Sequence, residues 1–422
     1  MNTGFHGQEM SKDNGIAARM RFRVFLVGTE FFREPGGIQY VNRELLRMLA
    51  EFARETPSDV DVFSLNDLPG GLPAGHELPG GFQWHAFDRR RVAMVWALEK
   101  RLWGAQPHLV LFTHVHLAGL AALVRLAASR ARIGVLGHGV EVWKKLRGQK
   151  GQGLRAADAV VSPSEFTRTK MIEVNRVTPE RVTVIAHGLS PEWVDTFSRS
   201  VRPGRAGHTL LSVTRLIRAD VLKGVDVVLR AMPEILRRCP EARYVIAGDG
   251  NDRATLERLA AKLGIAGRVE FRGELSREAL CRAYQEADLF VLPSQTEGFG
   301  IVYLEAMYGG LPVVAARAGG APNVVEDGVT GILVTPGDEK QIASAVSGLL
   351  LVPEERRKLG AAGRKLVEEK YLFAHFAARW QRWMARMVPT PIYLARHAAA
   401  FAGGKEVKRS GSQEVGKPAC AG

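Results

Sequence analysis

The sequence predicts an α/β protein made of two doubly wound parallel sheets in succession, and three observations carry that prediction. Fully apolar runs of about four to six residues recur along the chain, as strands buried on both faces of a parallel sheet require. Helical patterns separate them, which is the strand–helix alternation of such sheets. The alternation runs twice, on either side of a polar segment (199–208, RSVRPGRAGH) that contains Pro and Gly and lacks periodicity.

Taken in order, strands are expected at 22–27, 109–112, 133–136, 159–162 and 182–185 in the first half. In the second half they are expected at 210–213, 244–247, 269–271, 289–292 and 312–315. Residues 39–54, 225–238 and 253–263 read as connecting helices. The halves, 21–200 and 201–372, are each expected to form one Rossmann-like domain. Beyond Tyr371, a helical segment spanning 373–402 aligns Phe373, Phe376, Trp380 and Trp383 on one buried face and is expected to pack back towards the first half. The tails, 1–20 and 403–422, are polar and aperiodic and are expected to be disordered.

Composition narrows the function classes. With 422 residues, 46% hydrophobic and 24% charged, the chain excludes collagen, coiled coil and wholesale disorder. The best candidate for a membrane span, 117–128, is short and carries Arg125. No secretory signal is read in residues 1–20, and Cys239, Cys281 and Cys420 have neither metal-site nor disulfide spacing, so a cytoplasmic location is expected. The formal charge is +14 and unevenly placed: 101–150 hold eight basic residues against Glu141 alone, and 373–422 hold eight against Glu406 and Glu414. Such a surplus suits phosphate-bearing ligands or peripheral contact with an anionic membrane, at the cytoplasmic face of the inner membrane, as well as plain solvation. Helix-turn-helix, zinc-finger and RNP motifs are not recognised, so nucleic acid is not an expected partner.

The densest motif is S-Q-T-E-G-F-G-I-V-Y-L-E, residues 294–305, between an apolar strand and an apolar helix. A strand, a glycine turn and a helix start present unpaired amides to a phosphate. Gly298 and Gly300 let backbone approach a ligand, while Glu297 and Glu305 are placed to accept hydroxyls on either side of a diphosphate. A helix cap and a surface ion pair would be the plain alternative for the two carboxylates. Arg215, at a strand end, and Lys223, before a helix, could neutralise a diphosphate leaving group. The G-D-G at 248–250 is either part of the site or a turn with a helix cap. In the first half, Gly36–Gly37 precede a helix, and His138–Gly139 follow a strand with Glu141 nearby; His114 and His116 are further candidates. No metal-ligand cluster is read from the sequence.

In these residues the chain resembles the family-4 retaining glycosyltransferases of GT-B architecture, two Rossmann-like domains whose parallel sheets face each other across a deep cleft. The matching features are the E-x7-E pair Glu297/Glu305, Arg215 with Lys223, the G-D-G, Gly36–Gly37, His138–Gly139, the run 309–314 and Gly319–Gly320, spread over residues 21–387. The resemblance implies that Arg215 and Lys223 bind the donor diphosphate and Glu305 the ribose. Glu297 would contact the donor sugar, and amides of Phe299, Gly300 and Ile301 would hold sugar and phosphate. Gly37 would contribute from the opposite domain, and His138 would sit beside the sugar ring. It further implies metal-independent transfer with retention, needing no cofactor beyond the nucleotide-sugar donor. The acceptor is expected to be a saccharide or polyprenyl-linked saccharide of a cell-surface polysaccharide. GDP-mannose is the favoured donor, UDP-glucose the alternative; a sugar-nucleotide epimerase, a phosphorylase or a non-enzymatic basic binder are more remote. His187–Gly188 depart from the Asn-Gly common in the family, and Thr214–Arg215 from its Gly-Arg.

Overall fold

Thirteen strands form the two sheets in the computed structural model, which describes residues 21–34, 36–72, 77–200 and 208–388. The expected tails, the segment 389–402 and the linker residues 201–207 lie outside the described residues. The first sheet holds β1 (Phe22–Gly28), β2 (Ser58–Ser64), β3 (Phe82–Ala86), β4 (Leu109–Phe112), β5 (Arg132–Leu136), β6 (Ala159–Ser162) and β7 (Val182–Val184). The second holds β8 (Thr209–Val213), β9 (Arg243–Ala247), β10 (Val269–Gly273), β11 (Leu289–Leu292), β12 (Val313–Ala316) and β13 (Gly331–Val334). Their orders, β3-β2-β1-β4-β5-β6-β7 and β10-β9-β8-β11-β12-β13, are doubly wound, and every ladder within the sheets is parallel. The order reverses between β1 and β4, and again between β8 and β11, which opens a crevice at the carboxyl ends of those strands.

Three strands, β2, β3 and β13, lie beyond the sequence expectation. In β2, Ser58 and Asp61 interrupt the apolar run although both are buried. Asp61 is tolerated there because Arg101 holds both its carboxylate oxygens (2.8 and 3.1 Å) and His85 bonds it at 2.9 Å. Edge strand β3 is half-exposed and mixed in composition. β12 begins at Val313 rather than at residue 312. Pro312 has no amide to donate, though its carbonyl still accepts from Phe290 at 3.0 Å.

Each half has its own apolar core, and two helices cross between them. The helix Pro191–Arg199 leaves the first half but buries Trp193 and Phe197 in the second core, edge-on to Tyr284 and Tyr308. The helix Phe373–Met387 returns to the first sheet. Trp383 sits so close to Gly134 that a Cβ there would lie 2.6 Å from its ring, and Leu189 donates to the Tyr371 carbonyl at 2.7 Å. Phe376 and Trp380 are 2% and 1% exposed, so the aromatic stripe is packing.

Candidate functional site

The second crevice is built by the loops after β8, β9, β11 and β12. Arg215 leaves β8 on a short segment that the G-D-G loop clamps. Leu216 donates to the Asp249 carbonyl at 2.9 Å and Thr214 to the Ala247 carbonyl at 3.0 Å. Gly248 and Gly250 have φ of 130° and 151°, and a Cβ on them would stand 1.9 Å from the Thr214 and 2.3 Å from the Leu216 carbonyl oxygen. The G-D-G therefore shapes the Arg215 backbone, the turn reading of that motif. Arg215 and Lys223 line one pocket with Ile217 and Asp252. Residues 218–223 form a short 3-10 helix that delivers Lys223, and the Lys223 ammonium bonds Glu297 at 2.8 Å.

The loop after β11 is held from both sides. Gly320 donates to the Glu297 carbonyl at 2.6 Å, and a Cβ on Gly319 would lie 2.5 Å from that oxygen, so the glycine pair forms a flat seat under the loop. Gly300 turns the chain at φ 96° into the helix Ile301–Tyr308, whose first amides, including that of Ile301, have no partner within the helix. Phe299 is buried (4% exposed), edge-on to His187 at 5.0 Å and to Tyr371 at 6.0 Å.

Across the crevice, the first half contributes the loops after β1, β4, β5 and β6. A Cβ on Gly298 would stand 2.1 Å from the His138 carbonyl oxygen, and one on Gly139 would stand 2.9 Å from Gly298 Cα. The two glycines thus meet backbone to backbone, and Ser164 Oγ donates to the Gly298 carbonyl at 2.8 Å. Glu141 does not pair with the His138 ring; its carboxylate accepts from the His138 and Gly139 amides. Burial opposes ionisation of Glu141, but the His138 charge and the His138 amide hold its pKa below the usual carboxylate range. The His138 ring donates through Nε2 to the Thr113 carbonyl at 2.6 Å. It stacks on His114 at 5.8 Å, which His116 approaches at 4.4 Å, and His187 lies 6.4 Å away. Burial, with the His138 charge second, pushes both His114 and His187 down to about 3. Gly37 is the first residue of the helix Gly37–Glu55, with open space where a Cβ would stand.

Glu305 is held apart from this cluster. Tyr284 donates to its carboxylate at 2.8 Å, and burial pushes its pKa up to about 7 against the opposing effects of Tyr284 and Arg277. Sequence reasoning missed Tyr284, Ser164 and Tyr40. Tyr40 donates to the Gly188 carbonyl (2.8 Å) and accepts from the Ser190 amide (2.7 Å), fastening the start of the Gly37–Glu55 helix to the crossing segment. Ser164 carried one local signal: it follows an apolar strand and caps the next helix, accepting from the Thr167 amide.

Two cations, a helix start and two carboxylates in different surroundings thus belong to the second half's crevice, and its loop at Gly298 meets the His138–Gly139 backbone of the other half. Such a crevice can take a diphosphate flanked by hydroxyl-bearing groups. Comparison with known proteins agrees. The family model of glycosyl transferases group 1 matches residues 199–366, and that of glycosyltransferase family 4 matches residues 35–193. The chain is 33% identical over 285 residues to a GDP-mannose-dependent α-(1-6)-phosphatidylinositol monomannoside mannosyltransferase of Mycolicibacterium smegmatis, covering 62% of this chain and 72% of that protein. It is also 33% identical over 349 residues to D-inositol 3-phosphate glycosyltransferase 2 of Catenulispora acidiphila, covering 75% of each. Sucrose-phosphate synthase from Thermosynechococcus elongatus shares the fold, with a TM-score of 0.71 over 87% of this chain and 99% of that one at 21% identity. With its two matched halves, its paired sheets and these relatives, the chain belongs to the family-4 glycosyltransferases of GT-B fold.

Proposed function

We propose that the protein moves a hexose, mannose from GDP-mannose being favoured, to a saccharide or polyprenyl-linked saccharide of a cell-surface polysaccharide, with retention and without a divalent metal. The observation that carries this reading is that Arg215 and Lys223 line one pocket, Lys223 bonds Glu297 on the turn leading into the Ile301–Tyr308 helix, and that turn meets His138–Gly139 at Gly298. The donor preference rests on the M. smegmatis relative, whose name makes it GDP-mannose-dependent. Family membership favours transfer over the epimerase, phosphorylase and non-enzymatic alternatives.

Each group has a role in that chemistry. Arg215, Lys223 and the amides of Phe299, Gly300 and Ile301 meet the diphosphate and stabilise the charge that grows on it as it leaves. Glu305, oriented by Tyr284, accepts the ribose hydroxyls. Lys223 turns from Glu297 to phosphate, which frees Glu297 for the sugar hydroxyls. Gly37 brings backbone from the first half to the donor, and His138 borders the sugar. The bond from the anomeric carbon to phosphate oxygen breaks as the acceptor oxygen bonds on the same face, and the departing phosphate oxygen takes the acceptor's proton. No protein nucleophile is required. The basic surplus supports peripheral contact with an anionic membrane at the cytoplasmic face, where a lipid-linked acceptor would lie.

A thermal-shift panel of GDP-, UDP- and ADP-sugars tests the reading, because a ligand that binds the folded state raises its stability. GDP-mannose is expected to give the largest shift. A response to a UDP-sugar alone overturns the donor choice; no response, with no hydrolysis or transfer, contradicts the reading as a whole.

A further inference from the structure

The helix Arg91–Ala105, which follows β3, is apolar on two opposite faces. Met94, Leu98 and Leu102 recur every four residues and are buried (2%, 0% and 0% exposed), which seats the helix on the first sheet. On the far side, Val92, Trp96 and Trp103 fall within about 40° of one another at 3.6 residues per turn. These three are 84%, 65% and 56% exposed. A surface helix needs one apolar stripe to pack. A second stripe with two tryptophans in water has no folding rationale and marks a contact surface.

Cations border that stripe. Arg89, Arg90 and Arg91 stand exposed at the start of the helix, and Lys100 Nζ lies 5.4 Å from the Trp96 ring centre. Asp88 is paired with Arg33 at 2.6 Å and Glu34 approaches Arg89 only to 3.8 Å; the acid on the stripe's own face is the half-buried Glu99, between Trp96 and Trp103, against the exposed Arg89, Arg90, Arg91 and Lys100. Leu126, 71% exposed, belongs to the adjoining helix Ala121–Ala127, which Gln106 Nε2 ties to this one through the Ala127 carbonyl at 2.9 Å. Exposed Arg130 follows it.

We propose that this face docks on an anionic lipid bilayer, with Trp96 and Trp103 seated at headgroup depth and Arg89, Arg90, Arg91 and Lys100 on acidic headgroups. Tryptophan favours that boundary because its ring is apolar and its N–H is not, and clustered cations are drawn to anionic lipid. In a parallel sheet the helix after β3 starts at the carboxyl ends of the strands. Its arginines therefore lie at the end of the sheet from which the loops to Gly37, His114 and His138 emerge. Docking there would bring a lipid-linked acceptor to the crevice; that step rests on the proposed transfer, whereas the docking does not.

The test is co-sedimentation of the full chain with phosphatidylcholine vesicles, with and without phosphatidylglycerol, paired with tryptophan quenching by brominated lipid. Anionic vesicles should bind the protein, quench its fluorescence and release it progressively as salt rises. The variant Trp96→Gln/Trp103→Gln should partition at least about tenfold more weakly and lose the quenching, with unchanged thermal unfolding and GDP-mannose shift. Equal binding and quenching in variant and parent overturns the proposal. So does a dimer in sedimentation that the variant dissociates, with no vesicle binding, since the face would then join two copies. Vesicle binding without any nucleotide-sugar shift supports the docking and overturns the donor reading.

Discussion

The Lys223 ammonium lies 2.8 Å from a Glu297 carboxylate oxygen, with both side chains largely shielded (22% and 15% exposed), so the cation before one helix and the first carboxylate of E-x7-E compensate each other within the crevice. Losing one partner strands the other charge. Lys223→Ala should raise the donor Kd by about 10- to 100-fold, the worth of one charge-assisted hydrogen bond of about 1.5–3 kcal/mol. It should also lower the Tm. Adding Glu297→Gln should restore the Tm and leave donor affinity weak. Calorimetric titration and thermal unfolding of the two variants check this; donor affinity that recovers in the double variant contradicts the diphosphate role.

Glu305 makes donor binding depend on pH. Only the carboxylate can accept two ribose hydroxyls, and its pKa is raised to about 7. Donor affinity should therefore fall as pH drops through 7, approaching about tenfold per unit well below it. Glu305→Gln should flatten that dependence and bind more weakly at every pH above it. Stability runs the other way. The folded state raises this acid from 4.5 to about 7, so the Glu305 contribution is fully present below 4.5 and is lost as pH rises through 7. Relative to the parent, the Tm of Glu305→Gln should rise between about pH 4.5 and about pH 7 and level off above that. Calorimetric titration and melting curves across that range read both signs.

Two glycines should respond differently to alanine. At Gly298 the new methyl would stand 2.1 Å from the His138 carbonyl oxygen, which forces the halves apart at their contact. Gly298→Ala should cost about 100-fold in kcat and lower the Tm. At Gly37 a methyl meets nothing within 4 Å, so Gly37→Ala should keep the Tm and show its effect in donor KM alone. Steady-state kinetics beside melting curves separate the two.

Charge neutralisation by Arg215 and Lys223 predicts transfer that persists in EDTA and collapses in Arg215→Ala. Strict dependence on magnesium or manganese would contradict it.

Local chemistry made much of this protein legible in its sequence. Leu109–Phe112 and Leu289–Leu292 are apolar throughout, and Ala159–Ser162 up to its final serine, as strands covered on both faces must be, and they stand where the sequence places them. The glycine and charge spacing of 294–305 survives as a turn and a helix start. Contacts between residues far apart in sequence were not legible. Tyr284 reaches Glu305 from another helix and is backed by Trp193 from the crossing segment, and Tyr40 meets Gly188 at a separation of 148 residues. Asp61 hid β2 because a buried carboxylate is permitted only by partners, Arg101 and His85, that local sequence does not connect to it. The sequence places Glu141 near His138 without saying what it bonds; the carboxylate caps the His138 and Gly139 amides rather than the ring, a choice set by the turn at Gly139.

The central claim is transfer of a hexose from a nucleotide-sugar at this crevice with its configuration kept, and the anomeric configuration of the transferred sugar tests it most directly. The protein would be incubated with GDP-α-mannose and a lipid-linked or soluble saccharide acceptor, and the product's one-bond C1–H1 coupling read by NMR. The account predicts an α-linked mannoside, formed by the parent and lost in Arg215→Ala. A β-linked product would contradict the same-face substitution, and sugar transfer undiminished in Arg215→Ala would contradict the placement of the chemistry at this crevice.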